Sequence, residues 1–179
     1  MTHKRTLAEI VGTAAIASAA YVGGNLTAEP LPIGEYIPAI GESFSGPLYK
    51  EPHDADTLKI LVRKKGVVTV RVNEIDPPEA DQPGGPASTA YLLARIARGE
   101  LQATATGRDR YCRTLADVRL PDGRKLADEL VRAGHAWHYA EYSKSKELAE
   151  LQREAQRDRR GLWAGKNPIE PKLWRAGRR

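Results

Sequence analysis

Thr57-Leu58-Lys59-Ile60-Leu61-Val62-Arg63, then Lys64-Lys65-Gly66, then Val67-Val68-Thr69-Val70-Arg71-Val72-Asn73-Glu74-Ile75: this run reads as a β-hairpin. Both arms are rich in β-branched and long apolar residues, and Lys-Lys-Gly between them supplies a turn. In the second arm Val68, Val70 and Val72 alternate with Thr69, Arg71 and Asn73. One face is therefore apolar, and Arg71 belongs to the other. Antiparallel register sets the start of the first arm beside the end of the second.

Just outside the arms lie two acidic clusters, Asp54-Ala55-Asp56-Thr57 and Asp76-Pro77-Pro78-Glu79. Chain reversal brings Asp56 close to Asp76. The two prolines keep Asp76 and Pro77 out of the α region, so Glu79 follows on the same bend. Taken singly, each cluster reads as a solvated turn. Taken together, converging carboxylates cannot all stay ionised without a cation, and an all-oxygen set favours Ca²⁺ or Mg²⁺ over Zn²⁺.

A second turn, Gly107-Arg108-Asp109-Arg110, joins strands expected at 100–106 and 111–120 and leaves Arg113 just beyond it. Alone, Arg113 reads as an exposed basic hairpin residue. In order along the chain stand Asp54-x-Asp56-Thr57, Arg71, Asp76-x-Pro78-Glu79 and Asp109-x-Tyr111-x-Arg113-x-Leu115-Ala116. This series resembles the staphylococcal nuclease (thermonuclease) family. The resemblance runs from about residue 43 to the closing Gly161-Leu162-Trp163, and four dispersed motifs in the family's order make it specific.

The resemblance implies an α+β fold, a five-stranded OB-fold β-barrel with about three packed helices. It implies calcium-dependent hydrolysis of the phosphodiester bonds of DNA or RNA by metal-assisted attack of water. Asp56 and Asp76 match the family's direct calcium ligands, the carbonyl of Pro77 matches a backbone ligand, and Asp54 matches an acidic neighbour of the metal. Glu79 matches the carboxylate that activates or orients the water. Arg71 and Arg113 match the pair that grips the phosphate. Tyr142, eight residues after Gly134, has the spacing of a tyrosine that packs on the nucleotide. Tyr139, one position off a second such tyrosine, and Tyr111 complete the expected substrate surface.

Three positions depart from the family pattern. Ala55 and Cys112 stand where glycine is usual, and Pro77 replaces a smaller residue or threonine. A side chain forced to φ > 0 costs on the order of 1 kcal/mol, so the site reads as chemically complete but less well arranged. Cys112, the one cysteine of the chain, reads as a small buried thiol. It excludes an internal disulfide framework and has no histidine partner motif for nucleophilic catalysis.

The 179 residues carry a net charge of +5, distributed unevenly. From Lys144 onward 11 Lys and Arg face 5 Asp and Glu, whereas the preceding residues total −1. A basic tail of this kind either attracts nucleic acid or is a solvated terminus. Helices are expected from Pro86 to Gly99, at 125–133 and at 145–160, each with an apolar stripe and a terminating glycine. His135 and His138 bracket Trp137 without further ligand spacing, and read as structural or substrate-side groups rather than zinc ligands.

At the N-terminus His3, Lys4 and Arg5 precede a small-residue apolar stretch at 10–22, with Ala17-Ser18-Ala19 as an A-x-A cleavage site. This reads as an export signal. An uncleaved short membrane anchor and an Ala-rich amphipathic helix on a cytoplasmic protein remain alternatives. The expected organisation is a signal peptide or anchor at 1–23, a linker at 24–42, a thermonuclease-like domain at 43–165 and a basic tail at 166–179. The protein is then a monomer, secreted or periplasmic, or membrane-anchored. The competing function is a nucleic-acid or protein binding module that keeps the barrel but has lost turnover.

Overall fold

Residues 57–72 fold as the hairpin their alternation implies, and the second arm stops at Val72, short of the expected Ile75. The computed structural model describes residues 34–96 and 99–177. The expected export signal or anchor, and the part of the expected linker before Gly34, lie outside the described residues.

In chain order the elements are β1 (Ser43–Gly46), β2 (Thr57–Val62), β3 (Gly66–Val72), β4 (Ile75–Asp76), α1 (Gly85–Ile96), β5 (Leu101–Arg108), β6 (Thr114–Arg119), α2 (Leu126–Arg132), β7 (Trp137–His138), α3 (Lys146–Arg157) and α4 (Pro171–Arg175). A 3-10 turn at Gly161–Ala164 follows α3. Five strands form one sheet in the order β1-β5-β6-β3-β2, and β4 pairs with β7 in a separate two-stranded ladder. Two backbone bonds run from the chain just beyond β1 to β2, Leu61 N to Pro47 O at 3.0 Å and Tyr49 N to Lys59 O at 2.7 Å.

Alternation decides which face is core. Leu58, Ile60 and Val62 from β2 and Val68, Val70 and Val72 from β3 are buried, while Thr57, Lys59, Thr69 and Arg71 are half-buried on the opposite face. Helices cover the core with Leu92, Leu126, Leu130 and Leu148, each fully buried and stabilising the fold by about 1.5–3 kcal/mol. Ser145 caps α3 by accepting from Leu148 N at 3.1 Å. After α3, Gly134 and Gly161 pass backbone to backbone: Leu162 N donates to Gly134 O at 2.8 Å. Both have positive φ, and a Cβ on either would lie 2.3 Å from a carbonyl oxygen of the other segment.

The structure shifts two sequence expectations. The strand expected from Tyr111 begins only at Thr114, because Asp109 Oδ1 accepts from Tyr111 N and Arg113 N, both at 2.9 Å, and holds 109–113 as a turn. Residues 34–42, read as linker, are bonded to the sheet: Tyr36 N donates to Val67 O, and Gly41 N to Ala105 O.

Candidate active site

The site forms where β2 begins, β3 ends and β6 begins. Thr57 lies opposite Arg71 in the hairpin register, and Val72 N donates to Asp56 O at 2.8 Å. Parallel pairing of β6 with β3 then sets Leu115 opposite Arg71, which brings Arg113 to the same end of the sheet. Asp76 reaches that end through β4, whose ladder pairs it with Trp137.

Asp54 Oδ1 accepts from Thr57 N at 2.8 Å and Asp56 N at 3.3 Å, which holds the turn that leads into β2. Ala55 is fully buried and is not among the residues with positive φ, so it carries none of the strain expected there. Asp56 and Asp76 are both buried. Arg71 bridges them, with Nη2 3.1 Å from Asp56 Oδ2 and 3.7 Å from Asp76 Oδ1. Its guanidinium also donates to Val72 O at 2.6 Å and Ile75 O at 2.9 Å, so it is fixed before any substrate arrives.

Arg113 is fixed from two sides. Its Nε donates to Asp109 Oδ2 at 2.6 Å and its Nη1 to Thr57 Oγ1 at 2.9 Å. Asp109 is partly desolvated, which raises its carboxyl, but its bonds from Arg113 and Tyr111 outweigh this and hold it below the ordinary carboxylate value. Thr57 Oγ1 in turn donates to Asp56 Oδ1 at 2.9 Å. Burial, opposed by Arg71 and reinforced by Asp54, pushes the Asp56 carboxyl up to about 7.

Glu79 is half-buried, and its backbone is gripped by the turn before α1. Its N–H donates to Gln82 Oε1 at 3.1 Å, and its carbonyl accepts from Gln82 N at 3.0 Å. Gly85 permits this turn, since a Cβ there would lie 1.9 Å from Glu79 O. Pro77 is buried beside Asp76.

The expected aromatic positions divide. Tyr139 and Tyr142 pair with ring centroids 4.7 Å apart, and Tyr142 is 74% exposed. Burial and the Asp76 charge raise the Tyr139 phenol. Tyr111 is exposed and lies under the guanidinium groups of Arg110 and Arg113, at 4.9 and 5.6 Å. Cys112 corrects the expectation of a buried thiol: it is exposed and sits at φ 63°, where a residue with a Cβ is strained. His135 stacks on Tyr91 at 4.3 Å and takes no part in the site.

Among the described residues no three His, Cys, Asp or Glu side chains form a ready metal cage. Arginine nitrogens bridge the acids instead. The donor chemistry nevertheless suits a hard cation: two buried carboxylates face one another across a single guanidinium, and one of them has its pKa raised by incomplete compensation.

The sequence profile described as "Staphylococcal nuclease homologue" matches residues 69–165. The chain belongs to the staphylococcal nuclease family. Relatives within reach of that family include an "Uncharacterized endonuclease" of Escherichia coli O157:H7, 37% identical over 149 residues, covering 79% of this chain and 97% of that protein. An "Uncharacterized endonuclease" of Haemophilus influenzae is 38% identical over 122 residues, 68% of each chain. The "Micrococcal nuclease" of Shigella flexneri is 36% identical over 132 residues, covering 68% of this chain and 75% of that protein.

Two residues of this family member's site escaped the sequence reading. In the sequence Thr57 is only the end of an acidic motif, yet in the structure it joins Arg113 to Asp56. Arg175 donates to Asp76 and Glu79 from the far end of the chain. Its sequence signal was faint: a positive C-terminal excess, with Pro171 well placed to open a helix.

Proposed function

We propose that this chain is a calcium-dependent nuclease that hydrolyses the phosphodiester backbone of DNA or RNA. Its family makes it a hydrolase of nuclease type; the metal, the substrate and the residue roles are the proposal. One observation carries the reading. An unbroken run of polar contacts joins Arg113, Thr57, Asp56, Arg71, Asp76, Arg175 and Glu79 at one end of the sheet.

A phosphodiester gains negative charge on its phosphorus oxygens as water attacks, so positive groups fixed in advance lower the barrier most. Arg71 and Arg113 meet that need, because planar forks already anchored to the protein donate paired hydrogen bonds without reorganising. Glu79 would accept the water's proton. Asp56, Asp76 and the Pro77 carbonyl would hold the cation, with Asp54 shaping the turn behind them. When bound, calcium would polarise a phosphate oxygen and position the water. Tyr142, Tyr139 and Tyr111 offer ring faces for bases, which suits stacking without sequence preference.

The five-stranded sheet supports a barrel of the oligonucleotide-binding type, since the bonds from Tyr49 and Pro47 to β2 draw its outer strands together. An exported or membrane-anchored monomer, with residues 1–23 as signal or anchor and 166–179 as a basic tail, completes the reading. A binding module without turnover would have no use for Arg71, Glu79 and Arg113 together.

The test is hydrolysis of single-stranded DNA, double-stranded DNA and RNA, with calcium and with chelator, beside Glu79→Ala. Calcium-dependent cleavage that disappears in the variant is expected. Absence of cleavage by folded, calcium-binding protein would favour the binding module.

A further inference from the structure

The C-terminal helix α4 places a cation on the acids of the active site. Arg175 Nη1 lies 3.0 Å from Asp76 Oδ1, and Nη2 lies 2.9 Å from Asp76 Oδ2, a bidentate pair across 99 residues. The same Nη1 donates to Glu79 Oε1 at 2.6 Å. Both oxygens of Asp76 and one of Glu79 are thereby occupied, although these are the oxygens that the proposed metal and the attacking water require.

Other contacts aim the helix. Pro171 is buried at its first turn, and Gln82 Nε2 donates to Ile169 O at 2.6 Å just before it. Lys172 Nζ donates to Glu141 Oε2 at 2.6 Å, and Trp174 Nε1 donates to Asp81 Oδ1 at 3.1 Å. Asp81 and Gln82 belong to the turn that holds Glu79, and Glu141 adjoins Tyr142. The helix therefore docks on the rim of the site, and Arg175 is the side chain that reaches inward.

We propose that Arg175 is a resident counter-cation of the active site: α4 is an autoinhibitory plug whose guanidinium pairs with Asp76 and Glu79, and the metal binds by displacing it. The inference rests on the calcium-nuclease reading above. Asp76 is 2% exposed, and an acid that buried needs a partner whenever metal is absent. Arg175 supplies it. The plug is built to be removable: α4 has five residues, too few to persist alone, and the Arg175 side chain is 41% exposed, so its ion pairs are screened. At low calcium Asp76 and Glu79 stay paired with Arg175 and the site stays closed. At high calcium the acids exchange one cation for another and Glu79 is released to its water.

Calorimetric calcium titration of the wild-type chain, Arg175→Gln and Arg175→Lys tests this, with thermal melts in chelator and in saturating calcium. Removing the competing cation should tighten calcium binding roughly three- to tenfold in Arg175→Gln, with Arg175→Lys between the two. In chelator Arg175→Gln should melt roughly 2–4 °C lower, and saturating calcium should abolish that difference. Calcium affinity that is unchanged or weaker in Arg175→Gln, with wild type binding normally, overturns the plug alone. No calcium binding by any of the three chains overturns both the plug and the calcium reading.

Discussion

Arg113 Nη1 donates to the Thr57 hydroxyl at 2.9 Å, and that hydroxyl donates onward to Asp56 Oδ1 at 2.9 Å. The arginine proposed to grip the phosphate and the carboxylate proposed to hold the metal are thus coupled through one side chain, Thr57, that is assigned neither role. Thr57→Val keeps the shape and removes both bonds. Turnover should fall about tenfold, because Arg113 keeps only Asp109 to orient it, whereas Arg113→Ala should cost about a hundredfold or more. Steady-state cleavage rates at saturating calcium measure both, and equal rates in Thr57→Val and wild type would remove the relay.

Cys112 occupies a left-handed backbone position that glycine adopts freely. Cys112→Gly should raise the unfolding free energy by about 1 kcal/mol, since relief of the αL strain exceeds the added freedom of the unfolded chain. Urea denaturation reads the change. A destabilised variant would mean that the thiol makes a contribution the backbone angle does not reveal.

Gly134 has no room for a side chain: a Cβ would lie 2.3 Å from Arg160 O, a backbone atom that cannot swing away. Gly134→Ala should therefore destabilise the fold by about 2 kcal/mol or more. It should do so with little loss of turnover in the fraction that stays folded, because the clash lies between α2 and α3 rather than among the acids. Denaturation midpoint and active-fraction rate separate the two effects.

Glu42 gives a pH signature. Bonds from Lys65, the Tyr36 hydroxyl and Ala39 N lower its carboxyl from 4.5 to about 2. The folded chain holds this proton less well than the unfolded chain, so the contribution is complete above about 4.5 and is lost as pH falls through about 2. Its size should be small, because the group is screened by solvent. Comparing urea midpoints of wild type and Glu42→Gln across that window should show a flatter profile in the variant; identical profiles would contradict it.

The hairpin and the approach of Asp56 to Asp76 were legible because they depend on local alternation and one turn. Arg71 could be assigned its face from Val68, Val70 and Val72 alone. The start of β6 was not legible: Tyr111 and Cys112 have strand-like propensity, but the Asp109 carboxylate takes the backbone N–H groups at 111 and 113 that a strand would need. For the same reason the thiol of Cys112 was placed inside when the turn carries it outward. Arg175 left only the faint signal of a basic C-terminal excess, because an ion pair spanning 99 residues has no periodicity to betray it.

The β4–β7 ladder joins Asp76 to Trp137, so the second acid of the site takes its backbone partner from much later in the chain. A growing polypeptide that has passed Glu79 already contains every acid of the cluster but not the strand that seats Asp76. It lacks the arginine that covers the pair as well. Assembly of this site therefore waits for two later segments, the strand around Trp137 and the helix that carries Arg175, so the acids are seated and paired only well after they have themselves been made.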